Sequence, residues 1–158
     1  MNWIAYLKTG KSKNVVIIDW RNKLGNLRKE RYMDAVSELA ESVFDFHDKF
    51  EVPELDRIND SNNKELVLET LRRRLSFLME EVGEHSRALN RIELPNAVEE
   101  IVDVAYVALG TILVLGEQGD NSCHDVSSKN NSKNADDYVV NPISGKLVRK
   151  DKNQWKCW

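Results

Sequence analysis

A chain of 158 residues, 41% hydrophobic and 31% charged, has enough material for one domain with a core. Its net charge of −3 argues against a general nucleic-acid binder, because phosphate neutralisation needs a basic surface. Cys123 and Cys157 form no CxxC, which argues against zinc, and the longest apolar stretch, Val104 to Leu115, is too short to span a bilayer. With no long apolar run near the start, a cytoplasmic protein without a membrane partner is expected.

Residues 1–30 form an N-terminal extension to which the sequence assigns no role. NVVIID at 14–19 has the composition of a short strand, and the GKS at 10–12 lacks the preceding glycine of a P-loop, so it reads as a turn. Residues 31–158 are expected to form one all-α domain, a bundle of antiparallel helices with a polar C-terminal segment. From about Leu27, Met33, Val36, Leu39, Ala40, Val43 and Phe44 recur at spacings of three and four, the mark of an amphipathic helix ending near Phe50, before Pro53. Residues 51–63 are a polar connection.

A long helix follows over about 64–91. Leu68, Leu71, Leu75, Leu78, Val82, His85 and Leu89 make a near-heptad stripe, predicted to be its packing face, with His85 a satisfied core or interface histidine. Pro95 suits the first turn of the third helix, which runs to about Leu115 and stops at Gly116 and Gly119. Nearly every residue from Ile101 to Leu115 is apolar or small, so this helix is expected to be the most buried. Residues 120–158 turn polar, and NPISGK at 141–146 reads as a turn.

The chemistry lies in two acidic clusters, Glu80-Glu81-x-x-Glu84 and Glu99-Glu100-x-x-Asp103. At about 100° per residue, Glu81 and Glu84 share a second face of their helix with Phe77 and Ala88. Glu100 and Asp103 are likewise i,i+3 neighbours, and a short loop makes the two helices antiparallel, so the pairs can face each other. Such clusters are ordinarily solvated faces, with Arg87 pairing Glu84 and Arg72, Arg73 or Arg74 pairing Glu69. Asp103 is different. It is the lone carboxylate in an apolar run with no Lys or Arg a turn away, so it is expected to be desolvated and to need a cation. Opposed carboxylates cannot neutralise one another, and hard oxygen donors suit Mg²⁺ or Mn²⁺. Mg²⁺ shares its shell with phosphates, which points to a phosphate-ester substrate. A di-iron site is excluded by the absence of Glu-x-x-His pairs.

ExxE on one helix and ExxD on the next resemble the all-α nucleoside triphosphate pyrophosphohydrolases, the group of MazG-like proteins, dCTP pyrophosphatases and phosphoribosyl-ATP pyrophosphohydrolases. VFDFHDKFEVP at 43–53, LRRRLSFLMEEVGEHSRAL at 71–89 and VEEIVDVAYVALGTILVLG at 98–116 resemble the family's three helices in order. HDVSSKNNSK at 124–133 and GKLVRK at 145–150 resemble its C-terminal segments, with Lys129 standing where Ser is usual. The resemblance covers roughly residues 31–150. It implies a homodimer or homotetramer and Mg²⁺-dependent cleavage of a (d)NTP between the α and β phosphates, giving monophosphate and pyrophosphate. Phosphoribosyl-ATP is the alternative substrate, and a non-catalytic cation- or protein-binding bundle the alternative from another class. By position, Glu81, Glu84, Glu100 and Asp103 would be the metal ligands, and Glu80 would orient the attacking water. Asn130 and Ser132 would bind the substrate, and Lys133, Lys146 and Lys150 would grip its polyphosphate. His47 and Tyr106 would lie by the nucleotide, although an aromatic such as Tyr106 more often fills a core.

Overall fold

The computed structural model describes residues 20–55, 57 and 60–150, with side chains from residue 25 onward. The strand reading at 14–19 and the turn at 10–12 lie outside the described residues. The chain divides into two compact units, Met1–Leu39 and Ala40–Trp158. Among the described residues there are four α-helices: α1 (Trp20–Lys49), α2 (Lys64–Asn90), α3 (Leu94–Val114) and α4 (Gly116–Asn131). Two short strands, β1 (Tyr138–Val140) and β2 (Leu147–Arg149), pair antiparallel with Val139 opposite Val148. The chain is all-α, as expected. None of the described helices is long and apolar enough to cross a membrane.

Two helices end in the same way. After α1, Glu51 adopts φ 51° while Val52 N–H donates to His47 O and Glu51 N–H to Asp48 O. After α2, Ile92 adopts φ 61° while Glu93 N–H donates to Ala88 O and Ile92 N–H to Leu89 O. Both are Schellman closures, which occupy carbonyls that a helix end leaves orphaned. A β-branched residue at positive φ is strained, so the tight turn before Pro95 is held by its hydrogen bonds and not by the preference of Ile92. Ahead of α2, Asp60 Oδ1 accepts from Asn62 N–H at 2.9 Å and opens the 3₁₀ turn that leads into the helix.

Three expectations are corrected. The first helix starts at Trp20, not near Leu27, because a helix rim can run on without an apolar stripe. Among the described residues there are four α-helices and not three. Gly116, at φ +52°, only turns the chain into α4, and a Cβ at Gly119 would come within 2.2 Å of the Ile112 carbonyl oxygen. The helix could not be foreseen because it has no apolar period; its residues from 120 onward are all exposed. NPISGK does turn the chain, with Asn141 Oδ1 accepting from Ile143 N–H and Ser144 N–H.

The third correction concerns how α2 packs. α2 and α3 form the principal helix pair. Leu71, Leu78 and His85 of the predicted stripe are half-buried, but Leu68, Leu75, Val82 and Leu89 are 42%, 55%, 40% and 49% exposed. Their place is taken by the adjacent heptad row, Val67, Arg74, Glu81 and Ala88, of which Ala88 is fully buried. Polar bonds hold this rotation. Arg74 Nε–H donates to Thr111 Oγ1 at 3.0 Å and its Nη2–H to the Val107 carbonyl at 2.9 Å. His85 Nδ1–H donates to the Ala97 carbonyl at 2.7 Å, so it is the satisfied interface histidine its position suggests.

α1 joins this seam through Val43 and His47, both buried. Gly110 leaves the room: a Cβ there would sit 2.6 Å from Arg74 Nη2 and 2.9 Å from His47 Nε2. Alanine at position 110 gains about 1 kcal/mol of helix propensity but meets an overpacking cost of about 1–3 kcal/mol. Gly110→Ala should therefore lower the unfolding free energy by up to about 2 kcal/mol, measured by urea denaturation.

Burial, and then the neighbouring Arg74 cation, lower the pKa of His47 from its usual 6.5. A depressed histidine favours the neutral, folded form, so its contribution is whole above pH 6.5 and is lost as pH falls through the lowered value. Chemical denaturation between roughly pH 7 and 5 should show stability falling, and His47→Gln should flatten that slope.

Candidate metal and phosphate site

The rotation of α2 is what turns the carboxylates toward α3. Glu81 lies seven residues after Arg74, close to two full turns, and so falls in the same inward row. Glu100 reaches it from the second turn of α3. One carboxylate oxygen each from Glu81, Glu84 and Glu100 can be chosen so that all three lie within 4.8 Å of one another, and all three residues are half-buried. Three like charges so close in a seam of low polarity repel each other. Desolvation first, then Asp103, Glu84, Glu100 and Glu80 in that order, raises the pKa of Glu81 above its usual 4.5.

The burden of desolvation therefore falls on Glu81 and not, as expected, on Asp103. Asp103 is exposed, because the cover over α3 begins only at Val104, while Ile101 and Val102 are 47% and 44% exposed. Its apolar neighbours in sequence made the run look continuously buried. Asp103 still stands near enough to act on Glu81, at the open edge of the cluster. Among the described residues no basic side chain pairs with it. Glu80 is exposed and contributes the weakest of these repulsions.

A donor set of carboxylate oxygens with no histidine or thiolate fits a hard divalent cation such as Mg²⁺ or Mn²⁺. The half-burial of the trio and the raised pKa of Glu81 give a cation something to relieve. The residues present fit the metal, with Glu81, Glu84 and Glu100 as the nearest set and Asp103 at its edge.

Around the trio the predicted residues divide. His47 is buried against Arg74 and Gly110. Tyr106 donates its hydroxyl to the Ser42 carbonyl at 3.2 Å and meets Phe46 edge-on at 6.3 Å, which is a packing role. Phe46 and Phe50 tilt together at 4.6 Å and stay 46% and 58% exposed, an aromatic surface beside them. The C-terminal residues engage locally. Lys133 Nζ donates to Asn130 Oδ1 at 2.6 Å, and Ser132 Oγ donates to the Lys129 carbonyl at 3.0 Å, closing the end of α4. Lys150 Nζ donates to the Asp136 carbonyl, and Lys146 sits in the hairpin turn. Among the described residues no hydrogen bond or ion pair joins these groups to the carboxylates. The expected helix-face pairs are present, Arg73 with Glu69 at 3.0 Å and Arg87 with Glu84 at 3.4 Å.

Arg74 is the residue that sequence reasoning misplaced. Grouped with Arg72 and Arg73 as a surface base, it lies in the seam, over Phe77 at 5.7 Å and bonded to Thr111, one heptad before Glu81 in the same row. The available signal was its seven-residue spacing from Glu81 and Ala88.

No curated protein and no solved structure matches the chain. The family model described as phosphoribosyl-ATP pyrophosphohydrolase matches residues 43–130, more than half of the chain and all of the carboxylate hairpin. The acidic seam between α2 and α3 and this match lead to one conclusion: the chain belongs to the phosphoribosyl-ATP pyrophosphohydrolase family, within the MazG-like all-α NTP pyrophosphohydrolase superfamily.

Proposed function

We propose that the protein is a Mg²⁺-dependent hydrolase that cleaves a nucleotide's triphosphate chain between its α and β phosphates and releases pyrophosphate. The observation that carries this reading is the convergence of Glu81, Glu84 and Glu100 across the α2–α3 seam. The family match favours phosphoribosyl-ATP as the substrate. The resemblance of the acidic clusters to the wider group of all-α nucleoside triphosphate pyrophosphohydrolases supports a (d)NTP as the second reading. Both carry the same scissile bond, and the exposed Phe46–Phe50 surface offers stacking to a base in either case.

When bound, the cation offsets charge on the phosphoryl oxygens and acidifies a water nucleophile. Glu81 and Glu84 of α2 and Glu100 and Asp103 of α3 would hold it. Glu80, exposed on the same helix as Glu81 and Glu84, would accept a proton from the water. Lys133 and Lys150 would reach the polyphosphate only by leaving their local partners, as flexible point charges can, and Lys146 would reach it from the hairpin turn.

Incubation with Mg²⁺ and a panel of phosphoribosyl-ATP and the (d)NTPs should yield monophosphate and pyrophosphate from at least one member. Orthophosphate with a diphosphate would rule out the assigned bond, and no turnover of any member would favour a non-catalytic bundle. Glu81→Gln should lower turnover by about 100-fold or more through lost metal affinity. The metal-free melting midpoint of the same variant should hold or rise by about 1–3 °C, because the raised pKa marks a charge the fold resists.

We also propose a homodimer or homotetramer. Leu68, Leu75, Val82 and Leu89 form an exposed row at intervals of seven, and Val98, Ile101 and Val102 extend apolar surface along α3. Only Val43, Ala88, Ala97 and Val114 are fully buried hydrophobics among the described residues. A second copy that covers the row would complete a core that one copy leaves thin. Sedimentation at micromolar concentration should show a dimer or tetramer, and Leu75→Glu with Val82→Glu should shift it toward monomer; a monodisperse wild-type monomer would refute the assembly.

A further inference from the structure

A cavity of about 160 Å³ opens at the α2–α3 turn, next to the carboxylate trio. By the ~30 Å³ each water occupies in the liquid, it has room for roughly five, enough for a phosphate group with part of its hydration. Glu84 and Glu100 line it, and both belong to the trio. Arg87, Arg91, Asn96 and Glu93 complete its polar lining.

The charges decide what fits. Three carboxylates against two guanidinium groups leave the lining with one net negative charge. A free phosphate is therefore repelled, and a cation alone faces two arginines. A divalent cation on Glu84 and Glu100 reverses the balance to one net positive charge, and the loaded cavity then attracts an anion. The arginines suit that anion, because a guanidinium fork matches phosphate oxygens. Little holds them elsewhere. Arg87 meets Glu84 at 3.4 Å with the two side chains 56% and 42% exposed, a solvent-screened pair worth about 0–1 kcal/mol. Arg91 closes the C-terminus of α2 through its backbone, and among the described residues its side chain has no ion-pair partner. A cation on Glu84 would draw that carboxylate away from Arg87 and release the guanidinium to the phosphate.

We propose that Arg87 and Arg91 bind the terminal phosphates of the substrate, and the pyrophosphate that leaves, in a cavity that admits the anion only after the cation. This inference rests on the pyrophosphohydrolase reading above and adds to it a location for the leaving group and an order of binding. It also separates these arginines from the lysines of the C-terminal segment, which the fold holds in local bonds.

The test is titration calorimetry of the full chain with inorganic pyrophosphate, with and without Mg²⁺, alongside Mn²⁺ binding followed by electron paramagnetic resonance. Wild-type protein should bind pyrophosphate only with the metal present. Arg87→Gln and Arg91→Gln should each weaken that binding by about 10- to 100-fold, the loss expected for a charge-assisted hydrogen bond. Mn²⁺ affinity should hold or tighten in both variants, since each removes a competing cation, and Arg87→Lys should recover part of the pyrophosphate affinity. Both arginines are exposed, so melting midpoints close to wild type will show that the variants fold. Pyrophosphate binding that is unchanged in the Gln variants, or equally strong without metal, overturns the inference and leaves the metal site standing. Wild-type protein that binds no Mn²⁺ overturns the inference together with the reading beneath it.

Discussion

The hydrogen bonds from Arg74 to Thr111 and to the Val107 carbonyl settle how α2 meets α3. A guanidinium drawn into a helix seam has to find acceptors there, and Thr111 with a backbone carbonyl provides them. Thr111 in turn donates to the same Val107 carbonyl at 2.8 Å, which ties the pair to one turn of α3. Burial lowers the pKa of this arginine, yet a guanidinium stays charged, so the bonds cannot be relieved by losing a proton. The rotation they impose carries Glu81 inward two turns further along, and Ala88 two turns after that. Ala88 is small enough to allow the close approach at which the Schellman turn at Ile92 reverses the chain.

From that rotation come the electrostatics of the site. Three carboxylates in a seam form an arrangement the fold resists, and the resistance is greatest at Glu81. A scaffold selected for apo stability alone would place apolar residues there. On the proposed reading a cation that completes the cluster would recover the stability lost there, since a ligand bound by the folded state alone shifts the equilibrium toward that state. The opposite polarity appears two turns earlier in the same row of α2, where Arg74 is packed beside His47. Unpaired positive character and unpaired negative character lie at successive levels of one helix row, kept apart by two turns.

The same rotation leaves the apolar row Leu68, Leu75, Val82 and Leu89 outside. Polar bonds took the inward position, so the leucines that would ordinarily drive helix packing remain available. The proposed catalytic and assembly surfaces would thus divide α2 between two heptad rows. A chain that puts charged groups in its own seam has fewer apolar contacts to hold it, and association of copies is the proposed remedy.

Local pattern carried the all-α class, the bounds of α2 and α3, the Pro95 start, the turn at 141–146 and the order of the acidic clusters. These depend on residues near one another in the chain: periodicity, a fixed proline φ, and i,i+3 spacing. The family resemblance rested on the same local order, and the match over residues 43–130 supports it. α4 was hidden because its residues carry no apolar period, and its place depends on the contact of Gly119 with the Ile112 carbonyl. Tertiary structure alone decided which face of α2 turns inward, and with it that Glu81 rather than Asp103 bears the desolvation. The apolar stripe predicts packing by hydrophobicity, but hydrophobic contact has no direction. Hydrogen bonds do, and those of Arg74 and His85 end on Thr111, Val107 and Ala97, partners on another helix that no local spacing reveals.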